Sequence, residues 1–239
     1  MKHLAIFPIE NGYMLIKQFI ISVLFLLALK GIDAQSNLNR HISWWPAYYL
    51  KYEINNKWVL NTDIQARNFA AEPLLGLIAV RSGINYRISD QWSVATGGAW
   101  FHQQQLNAAK LKTVTDELRW WEEIKHEAKL NKWQLINQFR TEQRHWIKQD
   151  GIAFRFRYKL AGEYVFTEKW KGIIGNELMW QSGKARKDWD QYRVWVGGEY
   201  AFNNKNQVQL LLMNWRQFSI HDWQPAVRIN FIQSINRRI

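Results

Sequence analysis

Between residues 152 and 166 the chain alternates with a period of two. Ile152, Phe154, Phe156, Tyr158, Leu160, Gly162, Tyr164 and Phe166 take the even positions, while Arg155, Arg157, Lys159 and Glu163 take odd ones. Successive side chains of a strand point to opposite faces, so the pattern predicts one strand with an apolar face and a charged face. Its length exceeds the roughly 5–6 residues of an average strand in a water-soluble domain. The alternation recurs less cleanly elsewhere. Trp58, Leu60, Ile64 and Ala66 oppose Asn61, Asp63, Gln65 and Arg67, and Tyr192, Val194, Val196, Tyr200 and Phe202 oppose Arg193 and Glu199. Residues 114–146 contain many helix formers and could be drawn as two charged helices, but the period of two in the neighbouring segment argues for strands. Glu122 interrupts the apolar face of Leu118, Trp120 and Ile124. If that face meets lipid, where a charge at the midplane costs up to about 2–4 kcal/mol, Glu122 is expected near an interface.

Five places share one layout, in which a strand is followed by a tight polar turn and then by a second strand. They are Tyr52 to Trp58, Tyr86 to Trp92, Lys129 to Trp133, Tyr164 to Trp170 and Tyr200 to Asn206. In three of them Tyr precedes Trp by six residues, and the repeat spacing is 34–41 residues. Short turns rich in Asn, Asp, Ser and Lys predict antiparallel hairpins. Longer or more polar links are expected near 70–74, 103–113, 147–151, 182–189 and 219–223. Short turns at one end and longer links at the other are the asymmetry of an outer-membrane barrel, with periplasmic turns and external loops. The predicted fold is therefore all-β, an antiparallel transmembrane β-barrel of about 10–12 strands over residues 43–236. Five hairpins give ten strands and residues 223–234 an eleventh. Because single-chain bacterial barrels have even counts, either a short strand within 35–42 makes twelve or the first segment lies outside a ring of ten. Rings flanking the tight turns, namely Tyr52, Trp58, Tyr86, Trp92, Trp133, Tyr164, Trp170 and Tyr200, would form a periplasmic aromatic girdle.

Composition sharpens this picture. The 239 residues include 15 Trp, 9 Tyr and 12 Phe, a supply of amphipathic rings that points toward a lipid interface. There is no Cys, which excludes disulfides, Cys-ligated zinc and thiol nucleophiles. The net charge of +12 would suggest a polyanion, but basic residues are interleaved with Glu and Asp, as at Lys125-His126-Glu127, and form no stripe for phosphates. Nucleic acid is not expected as a partner; outer-membrane lipid is.

At the N-terminus Lys17 precedes an apolar run from Phe19 to Leu29, and Ile32-Asp33-Ala34 follows before Gln35. Basic flank, short apolar run and small residue at the cut are the parts of a cleaved signal peptide over 1–34, with translation expected from Met14. The run has 11 residues, well short of the roughly 20 that a bilayer-spanning helix requires. Residues 35–42 form a leading segment and 237–239 a tail. The expected location is the bacterial outer membrane.

The chain resembles the domain-of-unknown-function 2490 family of predicted bacterial outer-membrane proteins over nearly all of 43–236. The resemblance is carried by the hairpin rhythm, by Phe154-Arg-Phe-Arg-Tyr158 and by Gly197-Gly-Glu-Tyr-Ala-Phe202. It implies a barrel and no known reaction. Unlike barrels that finish on an aromatic residue, the chain ends Arg237-Arg238-Ile239.

With the apolar faces toward lipid, the other faces would enclose Asp63, Arg67, Glu117, Arg119, Glu123, Lys125, Arg140, Glu142, Arg155, Arg157, Lys159, Glu163, Glu177, Arg193, Glu199 and Arg228. Charges of opposite sign on neighbouring strands are expected to pair across the ladder. The result would be a salt-bridge lattice filling a narrow barrel or, given the basic excess, an anion-preferring pore or a pocket for a small anionic solute. Gly97-Gly98 and Gly197-Gly198 fall within strands, where they would relieve crowding. His102, His145, His221, Asp150, Asp188, Asp190 and Asp222 fall near the expected external loops, without the spacing of a catalytic or metal motif. No catalytic residue, cofactor or metal site is expected. The function expected is a passive pore or ligand-binding barrel. An accessory subunit docking with an envelope protein is the alternative, and a rim-sited hydrolase the third.

Overall fold

The computed structural model of the chain describes residues 42–68, 75–106, 112–148, 151–183, 186–219 and 223–236. The signal-peptide reading of 1–34 and the tail at 237–239 lie outside those residues. Within them the chain is all-β, with eleven strands. These are β1 (Ser43–Glu53), β2 (Trp58–Asn68), β3 (Leu75–Arg87), β4 (Trp92–Leu106), β5 (Lys112–Leu130), β6 (Trp133–Trp146), β7 (Ile152–Val165), β8 (Trp170–Gly183), β9 (Arg186–Ala201), β10 (Asn206–Gln217) and β11 (Trp223–Asn236).

Chain neighbours pair antiparallel, and the ring closes where β1 runs parallel to β11, from Ser43↔Ala226 to Glu53↔Asn236. This corrects the expectation of an even strand number. In an up-and-down order an odd count points the first and last strands the same way, so a parallel ladder closes the ring and leaves no free edge. β1 belongs to the ring, so the ten-strand alternative fails. The ring also closes without a strand from 35–41, which lies outside the described residues.

All five tight turns form where the sequence places them. In four, a short polar side chain accepts from the backbone N–H of the residue three further on. Asn55 Oδ1 accepts from Trp58 at 2.9 Å, Ser89 Oγ from Trp92 at 3.1 Å, Thr167 Oγ1 from Trp170 at 3.1 Å and Asn203 Oδ1 from Asn206 at 2.9 Å. Such side-chain mimicry of a backbone turn is why these residue types recur there. The two-residue turn between β5 and β6 uses Asn131 at φ 55°, a left-handed conformation that Asn tolerates. At the other end the strands run further than expected: β4 continues to Leu106, β5 begins at Lys112, β8 reaches Gly183 and β9 begins at Arg186. The links there are correspondingly shorter than predicted.

The large apolar residues of the wall point outward. Leu60, Ile64, Phe154, Leu160, Ile174, Leu210 and Leu212 are exposed, while their chain neighbours are partly or wholly enclosed. Tryptophan serves both faces, which narrows the inference from its abundance. Trp120 is 53% exposed on the outside and adjacent Trp121 is 7% exposed on the inside; Trp45 and Trp215 are also buried. Trp121 fits because Gly83 and Gly97 face each other across β3 and β4: a Cβ on Gly97 would lie 2.6 Å from Trp121 Cζ2. Inside the barrel Leu77, Ala79, Ala99, Phe101 and Trp121 form one apolar cluster, and Trp45, Met213, Trp215 and Ala226 form another.

Glu122 faces outward as the alternation requires, but not near a strand end. It sits mid-way along β5, with Thr96 and Thr141 as its cross-strand neighbours. It is four residues along the strand from His126, which faces Trp92. At about 3.3 Å per residue this is roughly 13 Å from the aromatic rung. Polar residues therefore flank it on both neighbouring strands.

Candidate functional site: the charged barrel interior

Strand periodicity sends most charged residues of β5 to β9 inward, and the register decides which of them meet. Glu142 on β6 stands across from Arg155 on β7 and Trp121 on β5. Its side chain, 3% exposed, pairs with Arg155, with Arg119 Nη1 at 3.3 Å and with Arg157 Nη1 at 2.5 Å. Arg155 also reaches Asp190 at 3.2 Å, and Arg157 reaches Glu177 at 2.6 Å. Glu177 in turn accepts from Arg193 at 3.5 Å. Glu117 extends the network on the other side, meeting Arg119 at 2.6 Å and Arg144 at 2.5 Å. Three guanidiniums on one carboxylate and two carboxylates on one guanidinium make a connected lattice, in which each member offsets the desolvation of the next.

Smaller groups surround it. Glu123 pairs with Arg140 and accepts from Gln138 at 2.7 Å. Lys125 meets Glu127 at 3.0 Å, and Asp63 meets Arg81 at 3.0 Å. Lys171 spans Glu199 at 3.1 Å and Glu163 at 3.5 Å. Lys159 lies half-buried on the same face of β7. Arg67 and Arg228 differ from the other expected lumen arginines, since their side-chain partners are neutral: Gln65 for Arg67, and Asn230 and Tyr49 for Arg228. Aromatic rings line the same space, with Arg119 3.6 Å from the Phe101 ring centroid and Arg140 4.5 Å from that of Trp121.

The structure thus places each expected lumen charge on the enclosed face and adds Arg81, Arg144, Lys171, Glu127 and Asp190. Arg144 shares the even parity of Arg140 and Glu142, a signal that could have found it. Arg81 directly follows the continuous apolar run Leu77-Ile-Ala-Val80, which shows no alternation. Asp190 follows an irregularity in the β8–β9 register after Met179, so parity counted back from Arg193 sends it the wrong way.

The aromatic rings near the tight turns pair between hairpins. Ring centroids are 4.6 Å apart for Trp58–Tyr86, 5.0 Å for Trp133–Tyr164 and 4.7 Å for Trp170–Tyr200. Trp92 meets His126 at 4.5 Å, a histidine in the place a tyrosine holds elsewhere. Tyr52 instead faces Leu60 and Ile235, so this row of rings ends before the β1–β11 seam.

The residues expected near external loops do not gather. His102 lies within β4, on the outer face, with Nδ1 2.8 Å from Asp116 of β5. His145 lies between Leu118 and Ile152, and Asp188 falls within β9. Asp190 is inside the barrel, so its placement at a loop is corrected. Asp150, His221 and Asp222 lie outside the described residues. Among the described residues no group of three His, Cys, Asp or Glu side chains stands where it could hold a metal ion.

The family described as "Protein of unknown function (DUF2490)" matches residues 42–225 of the chain. No curated protein matches it. Among solved structures, the chain is similar to "OmpT (in-vitro folded), an outer membrane protein of Vibrio cholerae", at 15% identity and a TM-score of 0.43, over 69% of this chain and 52% of that one. It is similar to a loop L8 deletion mutant of the same protein at 15% identity and a TM-score of 0.41, over 66% and 56% of the two chains. The chain therefore spans about half the length of these structures.

Proposed function

The chain belongs to the DUF2490 family, and we propose that it is an outer-membrane β-barrel whose side-chain-filled lumen binds a small solute and does not serve as a wide diffusion pore. Two faces of the wall support a membrane setting. Outward residues from Leu60 and Ile64 through Phe154 and Leu160 to Leu210 and Leu212 would leave a soluble protein with an apolar surface running round the ring. Lipid covers such a surface, and the closed ring pairs every strand internally. The tight-turn end then faces the periplasm, and the girdle rings sit at that interface.

The single observation that carries the lumen reading is the burial of Glu142 with Arg119, Arg155 and Arg157. Charges lining a wide aqueous channel would be solvated, whereas the Glu142 and Arg155 side chains are 3% and 6% exposed. Planar-bilayer recording of the folded protein tests this. A closed barrel, with at most small and brief conductance, supports the reading; a stable, large, ohmic conductance overturns it. A second reading, a subunit docked against another envelope protein, is favoured by the outward row of Thr96, Glu122 and Thr141, since a polar row facing lipid would be covered by a partner.

A further inference from the structure

We propose that the interior holds a site for a small oxyanion, a carboxylate or phosphate, built by Arg67, Arg193 and Arg228 around Trp45; this rests on the reading of the lumen as a ligand-binding chamber. Trp45 on β1 stands across the closing seam from Arg228 on β11. The Arg67 guanidinium carbon lies 4.2 Å from the Trp45 ring centroid and that of Arg193 lies 5.3 Å from it. The Trp215 ring packs against Trp45 at 5.6 Å. Trp45 is the third residue of β1, Arg67 the next to last of β2 and Trp215 the third from last of β10, so the cluster lies toward the end away from the tight turns.

What this cluster lacks is counter-charge. Elsewhere in the barrel Arg119, Arg144, Arg155 and Arg157 each hold a carboxylate. Among the described residues, Arg67 and Arg228 hold none; Gln65 Oε1 accepts from Arg67 at 2.8 Å, and Asn230 Oδ1 accepts from Arg228 at 2.9 Å. Arg193 has a carboxylate only at 3.5 Å, and Gln191 Oε1 accepts from its Nη2 at 2.5 Å. Four buried donors stay unpaired: Nε of Arg67, Nε of Arg193 and the indole nitrogens of Trp45 and Trp215. Both tryptophans are at least nine-tenths buried, as is Arg193. Stacking on Trp45 orients a guanidinium but does not neutralise it. Buried cations without counter-charge and buried N–H groups without acceptors both destabilise a fold. A single oxyanion with several lone pairs satisfies both deficits at once.

The test uses the full chain, folded in detergent, titrated calorimetrically with inorganic phosphate and separately with malonate at constant ionic strength. Saturable binding of at least one probe is expected, weakened about tenfold or more by combining Arg67→Gln with Arg228→Gln, which removes two charge-assisted contacts. Trp45→Phe, which keeps a ring but loses the N–H, should weaken it severalfold. Arg87→Gln should leave binding unchanged, because Arg87 pairs with Glu53 at the tight-turn end. No saturable binding of either probe, or binding untouched by both site variants, overturns the proposal. Heat-modifiable migration and bilayer conductance of the same preparations separate the two levels: a folded, closed barrel that binds neither probe sinks this site alone, whereas an open conductance sinks the reading it rests on.

Discussion

The ring of Trp58 packs on that of Tyr86, centroids 4.6 Å apart, and so joins the second strand of one hairpin to the first strand of the next. The contact repeats at Trp133–Tyr164 and Trp170–Tyr200, which makes the spacing of the sequence motif a device for holding hairpins to each other. A double-mutant cycle on Trp170→Ala and Tyr200→Ala, read by urea unfolding in detergent, should return a coupling of about 0.5–1.5 kcal/mol.

Glu142 is the acceptor shared by Arg119, Arg155 and Arg157. Replacing it with Ala removes the charge that compensates three enclosed guanidiniums. Unfolding free energy should fall by about 3–5 kcal/mol, the usual loss when one partner of a buried pair is deleted. Glu53→Ala, at an exposed pair with Arg87, should cost less than about 1 kcal/mol in the same measurement.

Gly97 and Gly98 are adjacent but face opposite sides of β4. A Cβ on Gly97 would lie 2.6 Å from both Trp121 Cζ2 and Gly83 Cα, whereas one on Gly98 meets nothing nearer than Arg119 O at 3.9 Å. Gly97→Ala should therefore destabilise the barrel by about 1–3 kcal/mol through overpacking. Gly98→Ala should leave its unfolding midpoint nearly unchanged.

Glu122 is an outward charge in the middle of a strand. If lipid or detergent covers that face, Glu122→Leu should raise the unfolding free energy by about 1 kcal/mol. A decrease would favour a polar partner over this row of the wall.

The strands and tight turns were legible because two local rules act there: alternation between outward apolar and enclosed polar positions, and turn side chains such as Asn55 and Thr167 that bond their own backbone. Closure was not legible, because the pairing of Trp45 with Arg228 joins distant parts of the chain and leaves no motif in either. The interior charges could be assigned to a face by parity, but their partners depend on register and on long side chains. Parity does not hold at Asp190, beyond the β8–β9 irregularity, and Arg81 directly follows an apolar run that has no alternation to read. The inward tryptophans were hidden for a different reason. The room for Trp121 comes from Gly83 and Gly97 on two other strands, which only the assembled sheet brings beneath it.

Outward apolar and enclosed positions alternate residue by residue along the wall, and spin labels on the protein in bilayers test most directly whether lipid covers the outward ones. The chain has no native cysteine, so single Cys substitutions label cleanly. Labels at Ile152, Phe154 and Leu160 of β7 should be accessible to membrane-dissolved oxygen, and labels at Ala153 and Ala161, which are buried inside, should not. Accessibility that fails to alternate between positions 152, 153 and 154 would contradict the account.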